Sequence, residues 1–408
     1  MSSVNSFPAA VGPKNPGPVN GFQSEFALLL ACCSVGKRET RDSEVQSVVK
    51  GALDWARVLE LGEHHGVLPQ VYQALRERAA GAPPEILDEL ASRYDQNVRR
   101  NLRFTAELFR VLDCLEAVGI SAIPHKGPAL TQLLYGDLAM RDFSDLDVLV
   151  PREEVLRAKE ALRGLGYRPA SQFLAAQEHA YLATGYEYTF DGPAGRNLLE
   201  IQWDIVPRFY AVDFPMHELF ARAGQVELAG RRVKSLAPED LLLTLCVHAA
   251  KHAWSRLCWL RDIAVAMSSM SLDWHVLLNR AAEFSILRIV GVSLVLAHQL
   301  LGANLPEPDF LDLNDLKNRQ LIASLCHEIT AHIPAAEEFR TESVEYFKLM
   351  LRLRERTVDQ MRFSTRLLFT PSVGEWELVK LPAPLFPLYR VVRLFRLAAR
   401  PFRKNPGL

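Results

Sequence analysis

The sequence has no long apolar run, no excess of one charge and no paired cysteines, and each absence excludes a class of protein. No window reaches the roughly 18 consecutive apolar residues that a membrane-spanning helix needs. With 47 Lys and Arg against 48 Asp and Glu, the formal net charge is −1, which excludes a uniformly basic protein. The six cysteines form no C-x-x-C pair, which excludes a zinc ribbon and a thioredoxin-type site. Scattered thiols are typical of a reducing compartment, and a cytoplasmic location is expected.

The residues that are present predict a globular chain with several regions. Hydrophobic residues make up 49% and charged residues 23% of the 408 residues, a usual mix for a globular protein. Residues 1–20 are rich in Ser, Pro and Gly and are expected to be a disordered lead-in rather than a secretory signal. Helical periodicity over 21–116 and 237–380 encloses a region of mixed pattern over 117–236, and a basic segment closes the chain over 381–408.

The mixed region has the alternation of a small sheet. Short apolar runs at 119–124 and 145–150 predict strands, and residues 127–135 between them predict a helix. Two further strands, at 186–190 and 198–203, are separated by a turn that opens with Asp-Gly, which is typical of an antiparallel hairpin. The fold class expected from this order is α+β, with a small mixed β-sheet core flanked by N-terminal and C-terminal helical regions.

Two aspartates on one predicted strand form the most informative pattern. Asp145 and Asp147 point to the same face, while Leu146, Val148 and Val150 take the opposite face, which can be buried. Adjacent carboxylates repel each other unless a cation lies between them, and their oxygen atoms suit magnesium. The alternative is a solvated strand end, because about five acidic-x-acidic pairs arise by chance in a chain of this composition.

The residues upstream of the aspartates favour a phosphate-binding site. Lys126 and Gly127 follow a predicted strand and open a helix, where free backbone N–H groups attract phosphate. Gly127 lets the backbone approach a triphosphate closely. Arg141 carries a planar guanidinium that can pair with a phosphate, and Ser144, directly before the aspartates, completes the expected nucleotide-binding set.

A third carboxylate is expected on a neighbouring strand. Glu200, Gln202 and Asp204 alternate along the predicted strand at 199–205, so their side chains share one face. Glu200 can therefore join Asp145 and Asp147. Because Asp204 lies on the same predicted face, it is the alternative third carboxylate.

Several segments share their pattern with a known family. In chain order they are Lys-Gly-x-x-Leu at 126–130, Leu-Tyr-Gly-Asp at 134–137, Arg-Asp-Phe-Ser-Asp-Leu-Asp-Val-Leu-Val-Pro at 141–151, Leu-Gly-Tyr at 165–167, Leu-Glu-Ile-Gln-Trp at 199–203 and Pro-Glu-Asp-Leu-Leu-Leu at 238–243. Together they resemble the bacterial uncharacterised nucleotidyltransferase family, a branch of the DNA polymerase β-like nucleotidyltransferase superfamily. The resemblance extends over most of residues 25–400.

The resemblance implies a magnesium-dependent enzyme that transfers a nucleoside monophosphate from a nucleoside triphosphate to a hydroxyl group of an unknown small-molecule or protein acceptor. It implies that Asp145, Asp147 and Glu200 bind metal, with two Mg²⁺ ions expected, and act in catalysis. Lys126 and Gly127 would contact the nucleotide phosphates.

Two departures from the pattern leave alternatives open. Pro128 follows Gly127 where the superfamily has Ser, which removes a hydroxyl and a backbone donor, and Gln202 stands where the family often has His. A catalytically inactive nucleotide-binding module is therefore one alternative. A toxin–antitoxin type of nucleotidyltransferase that acts on tRNA is another, although the near-neutral charge gives no strong nucleic-acid signal.

Two features outside the mixed region also allow more than one interpretation. His248 and His252 lie four apart on a predicted helix, a spacing that can place both on one metal ion, with ordinary packing or a contact with the site as alternatives. The segment 388–404 interleaves arginines with apolar residues. We expect a closing helix with its arginines in water, with peripheral membrane contact through 388–404 as the alternative.

Overall fold

The N-terminal part of the structure is helical, as the periodicity of 21–116 predicts. The computed structural model describes residues 23–78, 81–193, 195–306, 316–335 and 343–399. Residues 1–20, which are expected to be disordered, lie outside these ranges. The N-terminal helices are α1 (Ser24–Cys33), α2 (Arg38–Val49), α3 (Trp55–His64), α4 (Leu68–Arg78) and α5 (Pro84–Ala117).

A small mixed sheet follows and confirms the expected α+β fold class. Its strands are β1 (Ile123–Pro124), β2 (Leu146–Leu149), β3 (Arg168–Pro169), β4 (Glu187–Gly192) and β5 (Gly195–Gln202), in the spatial order β1-β2-β5-β4-β3. β2 and β5 are parallel, and the other neighbours are antiparallel. β4 and β5 form the predicted hairpin. The helices of this region are α6 (Gly127–Tyr135), α7 (Val155–Gly164), α8 (Ala175–Thr184) and α9 (Met216–Arg222).

The C-terminal part is again helical and is preceded by a separate hairpin, β6 (Gly224–Leu228) and β7 (Arg231–Ser235). Its helices are α10 (Pro238–Lys251), α11 (Leu257–Ser269), α12 (Trp274–Glu283), α13 (Leu287–Leu301), α14 (Leu316–His332), α15 (Val344–Arg352), α16 (Thr357–Phe369), α17 (Val373–Leu378) and α18 (Tyr389–Ala399). None of the helices in the described ranges is both long and apolar enough to cross a membrane.

The two helical regions share one hydrophobic core. Side chains of α1, such as Leu28 and Leu29, are buried in the same cluster as Leu260 and Val290 from the C-terminal helices. The sheet and helices α5 and α7 form a second cluster, which contains Leu146 and Val148. Leu149, on the other face of β2, belongs to the first cluster. The strand that carries the aspartates is therefore packed on both faces.

The long helix α5 fixes the loop that leads into β2. The side-chain amide of Asn97 donates to the Ala139 carbonyl at 2.9 Å, and that of Asn101 donates to the Arg141 carbonyl at 2.8 Å. Both asparagines are buried. Because buried backbone carbonyls need a partner, these two amides define the path of the chain just before Asp145.

A buried ion pair joins this loop to the C-terminal helices. The Arg141 Nε lies 3.0 Å from Asp262 Oδ2 on α11, and the Tyr135 hydroxyl donates to Asp262 Oδ1 at 2.6 Å. Burial opposes the charge of Arg141, but the Asp262 carboxylate holds its pKa above the ordinary value. Asp262 is 1% exposed, so loss of this carboxylate would leave a buried, uncompensated guanidinium.

The last helix differs from the expectation that its arginines face water. Arg393 and Arg396 turn inward to the buried Glu375 on α17, and Arg393 also donates to the Leu367 carbonyl. Phe395, on the outward side, is 72% exposed. The expectation is wrong for these two arginines because Glu375 offers a buried counter-charge. Contact with a membrane stays the untested alternative, and residues 400–404 of that segment lie outside the described ranges.

The Arg141–Asp262 pair predicts a large effect on stability. We expect Asp262→Ala to lower the free energy of unfolding by about 3–5 kcal/mol, because it leaves the buried guanidinium of Arg141 without its carboxylate partner. The control is Asp113→Ala, which removes a 63% exposed partner of Arg231 and should cost under about 1 kcal/mol. Urea-induced unfolding measures both, and equal losses would contradict the assigned role of Asp262.

Candidate active site

Carboxylates from three strands meet at one end of the sheet. Asp145 lies directly before β2, and Asp147 lies within it. Parallel pairing places Asp147 opposite Glu200 on β5, at the spacing of about 4.8 Å between neighbouring strands. Antiparallel pairing places Glu187, at the start of β4, opposite Gln202. The sheet therefore brings Glu200 to the aspartates, as the sequence predicts.

Lys126 and Gln202 contact these carboxylates. The Lys126 ammonium lies 2.9 Å from Asp147 Oδ1. The Gln202 amide Nε2 lies 2.9 Å from the same oxygen, 2.8 Å from Glu200 Oε2 and 3.2 Å from Glu187 Oε2. One lysine and one amide thus hold together three acidic side chains that would otherwise repel one another.

The charge balance at the site is uneven. Burial, followed by the nearby Glu187, raises the pKa of Glu200 above its ordinary value. Burial and Asp147 likewise raise the pKa of Asp145. For Asp147 burial acts in the same direction, but the charge of Lys126, together with His125 and the hydrogen bonds that Asp147 accepts, lowers the pKa below its ordinary value. Lys126 therefore stabilises the charged form of Asp147, whereas burial and neighbouring carboxylates disfavour the charged forms of Asp145 and Glu200.

Glu187 is the site residue that the sequence analysis did not identify. The signal was present, because the hairpin was predicted and Glu187 lies in its first strand. Directly opposite residues of an antiparallel pair share one face, and Gln202 shares its face with Glu200. The missing information was the register of the hairpin, which the turn sequence alone did not define.

The backbone turn at Lys126 and Gly127, where α6 begins, lies close to the backbone of Asp145. Gly127 has a φ of +59°, in the left-handed region that favours glycine. A Cβ atom at this position would lie 3.3 Å from the Asp145 carbonyl oxygen. The start of α6 therefore packs against the backbone of Asp145. The positive φ and the short distance each disfavour a residue with a side chain at position 127.

A cleft of about 440 Å³ opens above the carboxylates. Basic side chains line it as well as acidic ones, and they are Lys126, Arg141, Lys251 and Arg256. Ser144 also lines it and is exposed. Cations beside carboxylates suit a ligand that carries both phosphate groups and a metal ion. Arg141 reaches this cleft while paired with Asp262, so its contact with a phosphate stays a prediction.

The two histidines of α10 and its C-cap lie on the wall of the same cleft. The rings of His248 and His252 pack on Trp259, with centroids 5.3 and 4.8 Å away. Burial lowers the pKa of His252 to about 3 and that of His248 well below its ordinary value, so both are neutral at physiological pH. Both side chains line the cleft and contact the Trp259 ring, which agrees with packing beside the site.

A comparison with protein-family models identifies the family. The model described as "uncharacterised nucleotidyltransferase" matches residues 51–302, which is more than half of the chain. The chain belongs to this uncharacterised nucleotidyltransferase family. The matched range includes every carboxylate of the site and the Lys126–Gly127 turn.

Two solved structures have a distant likeness to this chain. One is the antibiotic-resistance factor ANT(2'')-Ia, at 13% identity and a TM-score of 0.33, covering 57% of this chain and all of that one. Another is an antigenic nucleotidyltransferase-like protein from Paracoccidioides brasiliensis, at 16% identity and a TM-score of 0.32, covering 50% of this chain and 94% of that one. No curated protein matches the chain.

Asp204, the alternative third carboxylate, does not line the cleft that Asp145, Asp147 and Glu200 share. β5 ends at Gln202, so the alternation that would place Asp204 beside Glu200 does not continue. The Asp204 carboxylate accepts from the Ile205 N–H at 2.8 Å, and after burial its charged neighbours are Asp213, Arg152 and Arg366. The geometry therefore brings Glu200, and not Asp204, to Asp145 and Asp147.

The donor set fits a magnesium ion in its chemistry. Asp145, Asp147, Glu187 and Glu200 supply only oxygen atoms, which Mg²⁺ prefers. The pKa values of Asp145 and Glu200 are raised by burial and by the neighbouring carboxylates, whose repulsion a divalent cation would offset. Among the described residues, no three His, Cys, Asp or Glu side chains are already arranged as a metal site. Lys126 and Gln202 both donate hydrogen bonds to Oδ1 of Asp147. A metal ion that binds this oxygen must therefore replace these contacts.

Gly127 yields a prediction about the turn. We expect Gly136→Ala to lower the free energy of unfolding by about 1–2 kcal/mol, because it forces a residue with a side chain to adopt a φ of +64°. Gly127→Ala should cost at least about 1 kcal/mol more, because its Cβ also crowds the Asp145 carbonyl. Gly136 is the matched control, since no atom lies within 4 Å of a Cβ there. Equal losses in thermal unfolding would contradict the close approach.

Proposed function

We propose that this protein is a magnesium-dependent nucleotidyltransferase, which transfers a nucleoside monophosphate from a nucleoside triphosphate to a hydroxyl group of an acceptor. The observation that carries the proposal is the group formed by Asp145, Asp147 and Glu200 on neighbouring parallel strands, beside the Lys126–Gly127 turn. Membership of the uncharacterised nucleotidyltransferase family supports the same activity. This strand and turn pattern also supports the wider assignment to the DNA polymerase β-like superfamily.

The proposed roles follow from the position of each residue. Asp145, Asp147 and Glu200 would hold Mg²⁺, which supplies charge stabilisation for the triphosphate and the developing pyrophosphate. Lys126 would exchange its bond to Asp147 for one to a phosphate oxygen. The backbone at Gly127 and the Ser144 hydroxyl would position the phosphates. Positioning and charge stabilisation account for most of the catalysis in reactions of this type.

The bonding changes are those of a single displacement. The acceptor oxygen forms a bond to the α-phosphorus, and the bond from the α-phosphorus to the bridging oxygen breaks. Pyrophosphate leaves with the electron pair of that bond. The hydroxyl proton passes to a carboxylate, for which Glu200 is the proposed group because its pKa is raised and because it lies beside Asp147.

One observation favours a second candidate, a nucleotide-binding module without turnover. Gln202 donates to Asp147 and Glu200 at once, so its amide occupies oxygens that a metal ion would need. If this contact persists with nucleotide bound, the protein binds a triphosphate and does not transfer it. Nucleotide binding without labelled product across a broad set of acceptors would favour this candidate.

The choice between Glu200 and Asp204 gives a direct test. With Mg²⁺, nucleoside triphosphates labelled at the α-phosphate and a small-molecule extract as acceptor, we expect Asp145→Asn and Glu200→Gln each to reduce label transfer by about 10²–10³-fold or more, because each removes a charge at the reacting phosphate. Asp204→Asn is the matched control and should change transfer less than threefold.

Thermal unfolding of each variant separates loss of folding from loss of activity. Transfer that survives Glu200→Gln and is abolished by Asp204→Asn would reverse the assignment of the third carboxylate. Absence of both nucleotide binding and transfer in the native protein would contradict the proposed function.

A further inference from the structure

A second cavity adjoins the carboxylate cleft. Its volume is about 750 Å³, within the range of roughly 300–1,000 Å³ that is typical of small-molecule sites. Apolar side chains form most of its lining, and they include Phe209, Val344, Phe347, Phe363, Leu367 and Leu368. The cavity therefore has room for a molecule with an apolar body, next to a cleft whose lining is charged.

Four polar residues lie where this apolar cavity meets the cleft. Tyr186, Glu187, Lys251 and His252 line both spaces. The Lys251 ammonium lies 3.5 Å from the Tyr186 hydroxyl and 5.2 Å from the centre of its ring. A ligand that fills the apolar cavity can therefore present one polar group to the carboxylate cleft.

Glu187 has a special position at this junction. It also lines a third cavity, of about 450 Å³, along β4. Among the described residues it is the only one that lines all three spaces. The Gln202 amide contacts Glu187 as well as Glu200 and Asp147. A ligand hydroxyl that donates a hydrogen bond to Glu187 would therefore lie at the edge of the reacting centre.

The charges of the apolar cavity exclude one class of acceptor. Glu187 is the only carboxylate among its described lining residues, whereas Lys251, Arg393 and Arg396 are basic. The two arginines are paired with the fully buried Glu375. A polycationic ligand would face three basic side chains and only one carboxylate in this cavity, whereas an uncharged ligand would face apolar side chains.

We propose that this cavity binds the acceptor, and that the acceptor is an alcohol whose uncharged, apolar body fills the cavity while Glu187 holds its hydroxyl group. The inference rests on the proposed nucleotidyl transfer. The alcohol oxygen forms the new bond to the α-phosphorus, pyrophosphate leaves with the electron pair of the broken bond, and the hydroxyl proton passes to Glu200.

A series of straight-chain alcohols tests the class of acceptor. Hexan-1-ol, octan-1-ol and decan-1-ol are each incubated with Mg²⁺ and the four nucleoside triphosphates labelled at the α-phosphate. We expect label transfer with a kcat/KM that rises about threefold or more per methylene group, because each added group is buried in the cavity. Glycerol and the polycation kanamycin serve as polar acceptors, and better transfer to either of them would overturn the proposal.

Two substitutions on helix α16 locate the binding site. Leu368 lines the cavity and is 40% exposed, whereas Met361 lies on the same helix, is 65% exposed and does not line it. Leu368→Asp should raise the KM for decan-1-ol at least fivefold and leave nucleotide binding unchanged. Met361→Asp should change neither value. Equal effects of the two substitutions would overturn the assignment of the cavity.

Nucleotide binding separates this inference from the proposed function. Titration of the native protein with a non-hydrolysable triphosphate and Mg²⁺ needs no acceptor. If the nucleotide binds and the extract is labelled but no alcohol of the series is, the cavity proposal fails alone. If no nucleotide binds, the proposed function fails and the cavity proposal fails with it.

Discussion

Repulsion among clustered carboxylates, of which Asp147 is buried and the others are partly buried, is the constraint on which the rest of this site depends. Parallel pairing of β2 and β5 forces Asp147 and Glu200 together, and the β4–β5 hairpin adds Glu187. In the structure, Lys126 and the Gln202 amide offset this repulsion in part. A stable fold needs no such concentration of negative charge, since a buried carboxylate weakens folding unless it is compensated. The proposed divalent cation would offset the repulsion that remains.

The surrounding fold makes this arrangement rigid. β2 is packed on both faces, because Leu146 and Leu149 belong to different hydrophobic clusters. Asn97 and Asn101 define the loop before β2, and Asp262 ties that loop to the C-terminal helices. The helical regions thus position the site as well as enclose it, and the range that matches the family, residues 51–302, includes helices on both sides of the sheet.

The sequence was sufficient where local patterns decide the structure. Alternation along β2 placed Asp145 and Asp147 on one face, and a strand followed by Lys126–Gly127 predicted the turn into α6. Partners that are distant in the chain were not predictable: Arg141 was expected at a phosphate, and its counter-charge Asp262 lies 121 residues later. Asp204 was expected on the same face as Glu200 because the strand was predicted to extend to residue 205, but β5 ends at Gln202. Glu187 was missed because it depends on hairpin register.

The central claim is that the Asp145–Asp147–Glu200 group binds a divalent cation when a nucleoside triphosphate is bound. The most direct measurement is a crystal structure with Mn²⁺ and a non-hydrolysable triphosphate, in which anomalous scattering locates the metal. The account predicts an anomalous peak in contact with these carboxylates and Lys126 moved from Asp147 to a phosphate oxygen. A bound triphosphate with no metal peak there, and with Lys126 and Gln202 still bound to Asp147, would contradict it.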